Sequence, residues 1–127
     1  MKSEAFMNPV MRKYFHRKLL DWKTEILDDT GTTLEKLKAE TVQEADLADR
    51  AASEAERTVE LRTRERARKL IAKIDAAILR IENNSYGYCE ETLEPISIKR
   101  LEARPIATLS IEAQELHERH EKTHRDD

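Results

Sequence analysis

The sequence predicts a mainly α-helical protein made of long, exposed helices with one short irregular region near its C-terminal third. Three observations carry this. Charged residues make up 39% of the 127-residue chain, against only two glycines and three prolines, a composition that suits extended helices better than a thick globular core. Apolar residues recur at three- and four-residue spacing through two long stretches, the period of one helix face. Turn chemistry is concentrated at "NNSYG", residues 83 to 87, rather than scattered along the chain.

The first helix is predicted to start at Asn8-Pro9, with Asn8 as N-cap and Pro9 at the first helical position, where its missing N–H is no loss. Phe15, Leu19, Trp22 and Ile26 then repeat with 4-3-4 spacing, and Leu20, Leu27 and Leu34 recur every seven residues, giving a broad apolar stripe. Gly31, within "DDTGTT", predicts a weak point or bend rather than a domain boundary, since Gly costs about 1 kcal/mol in a helix interior. From Ala67, the series Leu70, Ile74, Ala77, Ile81 runs at coiled-coil spacing, with Ile71 and Ile78 beside it. Beyond "NNSYG", "EPISIKRLEARP" shows short alternation and two prolines, predicting a small hairpin or irregular turn. Ser110 can cap a last helix carrying Ile111, Ala113 and Leu116.

Between the long helices, "QEADLADRAASEAE" contains neither Gly nor Pro. Propensity alone permits one helix from about Leu34 to Ile81, a rod roughly 70 Å long that would need another chain to cover its stripe. The alternative is an antiparallel hairpin within one chain, with Ser53-x-x-Glu56 restarting a helix as a capping box and Asp46 and Asp49 in the connection. The residues by themselves leave both open.

The net charge is −3, so the whole chain carries no nucleic-acid footprint. Charge is nevertheless segregated. Residues 40 to 60 hold seven acids and two bases, whereas 61 to 73 hold six bases and Glu65, an arrangement able to orient a partner electrostatically. No apolar run approaches the ~20 residues of a membrane span, and "MKSEAFMNPV" lacks a signal-peptide core. A soluble, cytoplasmic protein is expected. The lone cysteine forms no internal disulfide and agrees with a reducing compartment.

"YGYCEETLEPISIKRLEARPIATLSIEAQ", residues 86 to 114, is laid out like a zinc ribbon whose four stations fall at Cys89, Thr92, Ser110 and Ala113. A hydroxyl and a methyl cannot replace thiolates in a structural zinc site. No structural zinc is expected. Tyr86, Tyr88, Leu93, Ile96, Ile98, Leu101, Ile106 and Leu109 are instead expected to pack against Trp22 and the base of the helices, each buried aliphatic contributing about 1.5 to 3 kcal/mol. Cys89 then reads as a small buried residue rather than a redox sensor. His117, His120 and His124 share a helix face that imidazoles could use to bind Zn or Ni, although solvated side chains fit this charged stretch better. His16 has no evident companion and reads as a surface or interface residue.

"DLADRAASEAERTVELRTRERARKLIAKI", followed by "YGYCEE" and "IKRLEARPIATL", resembles the DksA family of bacterial transcription factors across roughly residues 11 to 122. Asp-x-x-Asp-Arg-Ala, Glu-Leu-Arg-x-Arg and Arg-Leu-Glu-Ala-Arg-Pro, in this order and spacing, carry the resemblance. It implies a long antiparallel coiled-coil hairpin on a small globular domain containing a degenerate zinc-ribbon-like region and a C-terminal helix. The parts would be an N-terminal helical part of the globular domain (1–33), the hairpin (34–82, tip near 45–53) and the degenerate finger with its final helix (83–127). The four ribbon stations match the family's zinc-ligand positions.

The resemblance also implies a function: direct binding to RNA polymerase, with the tip entering its secondary channel and altering initiation without sequence-specific DNA binding. Asp46, Asp49 and Ala51 match the tip motif; two short carboxylates on a narrow stalk would act through charge-assisted hydrogen bonds, and Ala51 would allow close approach. Arg66 matches a polymerase-docking position. Lys73 and Arg104 match contacts to guanosine tetraphosphate (ppGpp), the family's usual co-effector, for which a movable ammonium and a planar guanidinium are suited. Gln114 stands where many members carry Lys, so one cationic contact is missing. A monomer with no membrane partner is expected. Phosphate-cradling glycine loops, a nucleophile elbow and a clustered acid/base set are lacking, so the chain reads as no enzyme. A dimeric coiled-coil adaptor built on the continuous rod is the competing function.

Overall fold

The structure is a computed structural model that describes residues 5–44 and 50–125, with side chains described for 5–40 and 53–122. Four helices follow in order: α1 (Pro9–Glu44), α2 (Arg50–Glu82), α3 (Ile98–Ala103) and α4 (Ile111–Arg125). The chain divides into two compact units, one of Met1–Leu19 with Ala76–Asp127, the other of Leu20–Asp75.

Asn8 caps α1 as its sequence predicts: its side-chain oxygen accepts the Met11 N–H at 2.9 Å, which satisfies one of the orphan donors of the first turn. The helix then runs through Gly31 without interruption, so the glycine is tolerated as a helical residue. Along α1, Phe15 and Leu19 are buried and Trp22, Ile26, Thr30, Leu34 and Leu37 are half-buried, while Leu20 and Leu27 are exposed. The broad stripe expected from the sequence is thus a narrow seam, because a two-helix pairing covers little more than the residues at alternating three and four spacing.

On α2 the same spacing continues further than apolar residues alone reveal. Glu56, Glu60, Thr63, Ala67 and Leu70 are half-buried and lead into the buried Ile74, Ala77 and Ile81. In the unit formed by Leu20–Asp75, Lys23 Nζ meets Asp75 Oδ1 at 2.8 Å although 52 residues separate them. One unbroken helix would hold those residues about 78 Å apart, so the two segments run antiparallel within the chain and the continuous rod is excluded. The helix does not restart at Ser53, since α2 already begins at Arg50.

In the other unit, α2 ends where Asn84 takes a left-handed backbone (φ 66) and the Ser85 and Tyr86 N–H groups both donate to the Arg80 carbonyl. This returns the chain sharply and satisfies a terminal carbonyl. Of the small hairpin or irregular turn expected, the described residues show one isolated antiparallel bridge, Tyr88 with Pro95. "IKRLEA" forms α3 instead, capped by Ser97, whose oxygen accepts the Arg100 N–H at 3.2 Å. Local capping outweighs a weak alternation over so few residues.

The core of this unit comprises Met7, Phe15, Leu19, Tyr86, Ile96 and Leu101, with Cys89 and Ala113 also buried. The Phe15 and Tyr86 rings lie 5.6 Å apart. Tyr86 donates its hydroxyl to the Pro105 carbonyl at 2.7 Å, so its one polar atom is satisfied inside the core. Of the residues expected to pack here, Tyr86, Ile96 and Leu101 are buried and Ile106 and Leu109 half-buried, whereas Tyr88, Leu93 and Ile98 are exposed. Leu93 is displaced by its turn, where it holds φ 64. Phe15 is an aromatic partner of Tyr86, and Trp22 falls in the other unit.

Candidate functional site

Two sets of residues are candidates for function. The first is the helical pair. Asp46 and Asp49 lie outside the described residues, and Ala51 belongs to α2 with its side chain outside them. Further along α2, Arg64 pairs with Glu60 and Arg68 with Glu65, at 3.1 and 2.6 Å. The Arg68 hydrogen bond, together with the charges of Arg68 and Lys69, holds the Glu65 carboxyl below its ordinary value. Glu65 is therefore engaged one turn along the helix, and it forms no pair with Arg66. Arg66 and Lys73 are exposed, and among the described residues neither side chain forms an ion pair.

Arg104, in the other unit, is likewise exposed and without an ion pair among the described residues. The neighbour that could have held it, Glu102, accepts the Tyr14 hydroxyl at 2.9 Å and sits 3.8 Å from Lys18. That hydrogen bond raises the Tyr14 pKa. Gln114 turns along its own helix to Glu118 at 3.3 Å.

The second set is the degenerate finger, in which three of the four ligand stations carry no thiol. The structure keeps the four positions close to one another and gives each a different task. Cys89 is fully buried. Burial pushes its thiol up, but hydrogen bonds to the sulfur from the Ser110 N–H, the Thr92 hydroxyl and the Thr92 and Glu91 N–H groups outweigh that and bring it down to about 6. Fixed donors converging on an anion stabilise the charged form. Thr92 Oγ1 also accepts the Glu94 N–H, and Ser110 Oγ accepts the Ala113 N–H at 3.2 Å as the N-cap of α4. Ala113 closes the cluster with a buried methyl.

These residues do not fit a zinc ion. The donor set offers one thiolate, two hydroxyls already engaged with backbone N–H groups, and a methyl, where a structural site needs four strong ligands. Among the described residues no group of three or more His, Cys, Asp or Glu is placed to hold a metal. The histidine alternative fares no better. His117 Nε2 lies 2.8 Å from Glu91 Oε1, which raises the imidazole pKa through that hydrogen bond and the adjacent carboxylate charge. His124 falls outside the described side chains, and His16 is half-buried on α1. A cavity of about 550 Å³ opens between the Glu91–Thr92 turn and the α4 face carrying Ala113, Leu116, His117 and His120.

Sequence reasoning passed over Phe6 and Met7. Met7 is buried, and the Phe6 ring stands edge-on to Tyr88 with centroids 5.2 Å apart. The available signal was two large apolar residues immediately ahead of a helix cap.

Comparison with known proteins gives a consistent result. A family model described as "DnaK suppressor protein DksA, N-terminal domain" matches residues 11–81, and one described as "Prokaryotic dksA/traR C4-type zinc finger" matches residues 84–119. The chain is 60% identical over 126 residues to the RNA polymerase-binding transcription factor DksA of Caulobacter vibrioides, covering 99% of this chain and 89% of that protein. It is 40% identical over 119 residues to the protein of the same name from Escherichia coli K12, covering 94% and 79%. The structure of transcription factor DksA2 from Pseudomonas aeruginosa superposes with a TM-score of 0.77 at 35% identity, covering 96% of this chain and 94% of that one.

Proposed function

The chain belongs to the DksA family, and from that premise we propose that it is a transcription factor that binds RNA polymerase directly through the secondary channel and modulates initiation together with ppGpp, without reading DNA sequence. The observation that carries this is 60% identity over nearly the whole chain to a protein named for binding RNA polymerase. The antiparallel pairing of α1 and α2 supports it, because a two-helix stalk is narrow enough to enter a channel that excludes a globular domain. In this reading Asp46 and Asp49 are the acids at the tip and Ala51 allows their approach.

Arg66 takes the docking role and Lys73 and Arg104 the nucleotide contacts. That all three are exposed, with no ion pair among the described residues, supports their being free for a partner rather than spent on surface pairing. Gln114 supplies an amide where a cation would favour the polyanion, so the nucleotide contributes less than it would with Lys. The protein works as a cytoplasmic monomer, and the chemistry is the polymerase's own. Among the described residues no helix is long and apolar enough to cross a membrane.

The degenerate finger is proposed to hold its shape without zinc. Purified protein should contain far less than one equivalent of zinc by elemental analysis, and a chelator should leave its polymerase affinity unchanged. Stoichiometric zinc would refute metal independence. The polymerase assignment has its own test, direct binding: the protein should bind core polymerase, Arg66→Ala should weaken binding by roughly tenfold, and Asp49→Asn should bind like wild type. Absence of binding by the unaltered protein would reject the assignment.

A further inference from the structure

The turn ahead of α1 is held in an unusual way. The Asn8 N–H donates to the Ala5 carbonyl at 3.2 Å, and Met7 takes a left-handed backbone, φ 53. Side-chain-bearing residues adopt that conformation only where their surroundings compensate for its cost. The compensation is visible: Met7 is 8% exposed, and Phe6 packs edge-on against Tyr88 with an interplanar angle of 74°. The seat beneath them is Gly87, itself at φ 91, where a Cβ would lie 3.0 Å from Phe6 Cζ and 3.3 Å from Met7 Cε. Glycine is thus needed twice at this position, for its backbone and for the room it leaves.

This seat lies on the loop that carries Cys89. The Gly87 carbonyl accepts the Ile96 N–H at 2.7 Å, and the Cys89 N–H donates to the Glu94 carbonyl at 2.8 Å. Anything that presses on Gly87 and Tyr88 therefore bears on the hydrogen bonds closing the finger. On the other side the strap runs directly into the capped and proline-stiffened start of α1, where the Asn8 carbonyl accepts the Arg12 N–H at 3.0 Å and the Arg12 guanidinium reaches Asn84. Phe6 and Met7 are therefore held by the seat beneath them and by the helix start that follows them.

We propose that Phe6-Met7 is a strap seated on Gly87–Tyr88 that fastens the finger to the start of α1, in the place of the metal for which the finger has no ligand set. The proposal rests on the finger being metal-independent and adds the device that makes it so. Because the strap is two residues in a strained turn, it is also the contact by which the finger can open without unfolding the helices.

Amide hydrogen exchange on the full chain tests this. In Phe6→Ala the Cys89 and Ile96 amides should exchange roughly tenfold faster, while the Leu70 and Ile74 amides of α2 stay as in wild type. Phe6→Leu, which keeps an apolar contact, should recover most of the protection. Rates at Cys89 and Ile96 within about twofold of wild type in Phe6→Ala would overturn the strap, as would equal acceleration in α2, which would signal loss of the whole fold. Wild type treated with a chelator separates the two claims: faster exchange there would refute metal independence, whatever Phe6→Ala does.

Discussion

The hydrogen-bonded sulfur of Cys89 makes the stability of the protein depend on pH through a single thiol and without a metal. In an unfolded chain a cysteine titrates near 8.5, whereas the folded thiol sits at about 6. The folded state therefore binds fewer protons than the unfolded state between these values, and stability from this group rises with pH there. It is fully present above the unfolded value and is lost as pH falls through about 6. The slope can reach about 1.4 kcal/mol per pH unit, the linkage of one proton. Cys89→Ala removes the group, so urea unfolding of both proteins at pH 6 and pH 8 isolates it. The stability difference between wild type and Cys89→Ala should grow by about 2 kcal/mol from pH 6 to pH 8. His117 gives an opposing trend, because its pKa is raised chiefly by the hydrogen bond and charge of Glu91, with stability lost as pH rises through the folded value. The Glu91 part is common to both proteins and cancels in the difference, while the smallest part, from the Cys89 charge, leaves with the thiol and works against the growth. A difference that is flat or shrinks with pH would refute the assignment of Ser110, Thr92 and Glu91 as donors to a thiolate.

Tyr86→Phe keeps the ring against Phe15 but leaves the buried Pro105 carbonyl without the hydroxyl it accepts at 2.7 Å; unfolding free energy should fall by about 1 to 3 kcal/mol, read from the urea midpoint. Leu101→Ala, at a fully buried position, should cost about 2 to 5 kcal/mol by the same measurement. Lys73→Ala and Arg104→Ala should each reduce the enhancement of the protein's effect by added ppGpp in transcription assays, while the effect without nucleotide remains.

Much of the fold was legible because its signals are local. Asn8 and Ser110 announce helix starts through the oxygens that their side chains offer, and both cap as read. The coiled-coil spacing from Ala67 to Ile81 likewise survives in the burial of Ile74, Ala77 and Ile81. Where two apolar series overlapped on α1, periodicity could not choose between them. Leu20 and Leu27 repeat as regularly as Trp22 and Ile26, and only the presence of a single partner helix decides that they face solvent.

The finger was less legible for a different reason. Its donors to Cys89 are mostly backbone N–H groups, which every residue but proline possesses and no residue type announces. The sequence shows that Ser110 and Thr92 are not thiols; it does not show that their amides point at a sulfur. Phe6 and Met7 were passed over because their contact lies far along the chain at a glycine whose need for φ 91 is not written in its neighbours. The tip acids and the basic positions, by contrast, were read through family resemblance, since exposed charges on a helix look alike until a partner distinguishes them.

The lifetime of promoter open complexes formed by RNA polymerase, measured with wild type and with Asp49→Asn at saturating concentrations, tests the proposed role of the tip most directly. Wild type should change the lifetime severalfold, and the variant should bind the enzyme yet leave the lifetime near that of polymerase alone. Equal effects from both proteins would contradict the placing of regulation in the acids between α1 and α2.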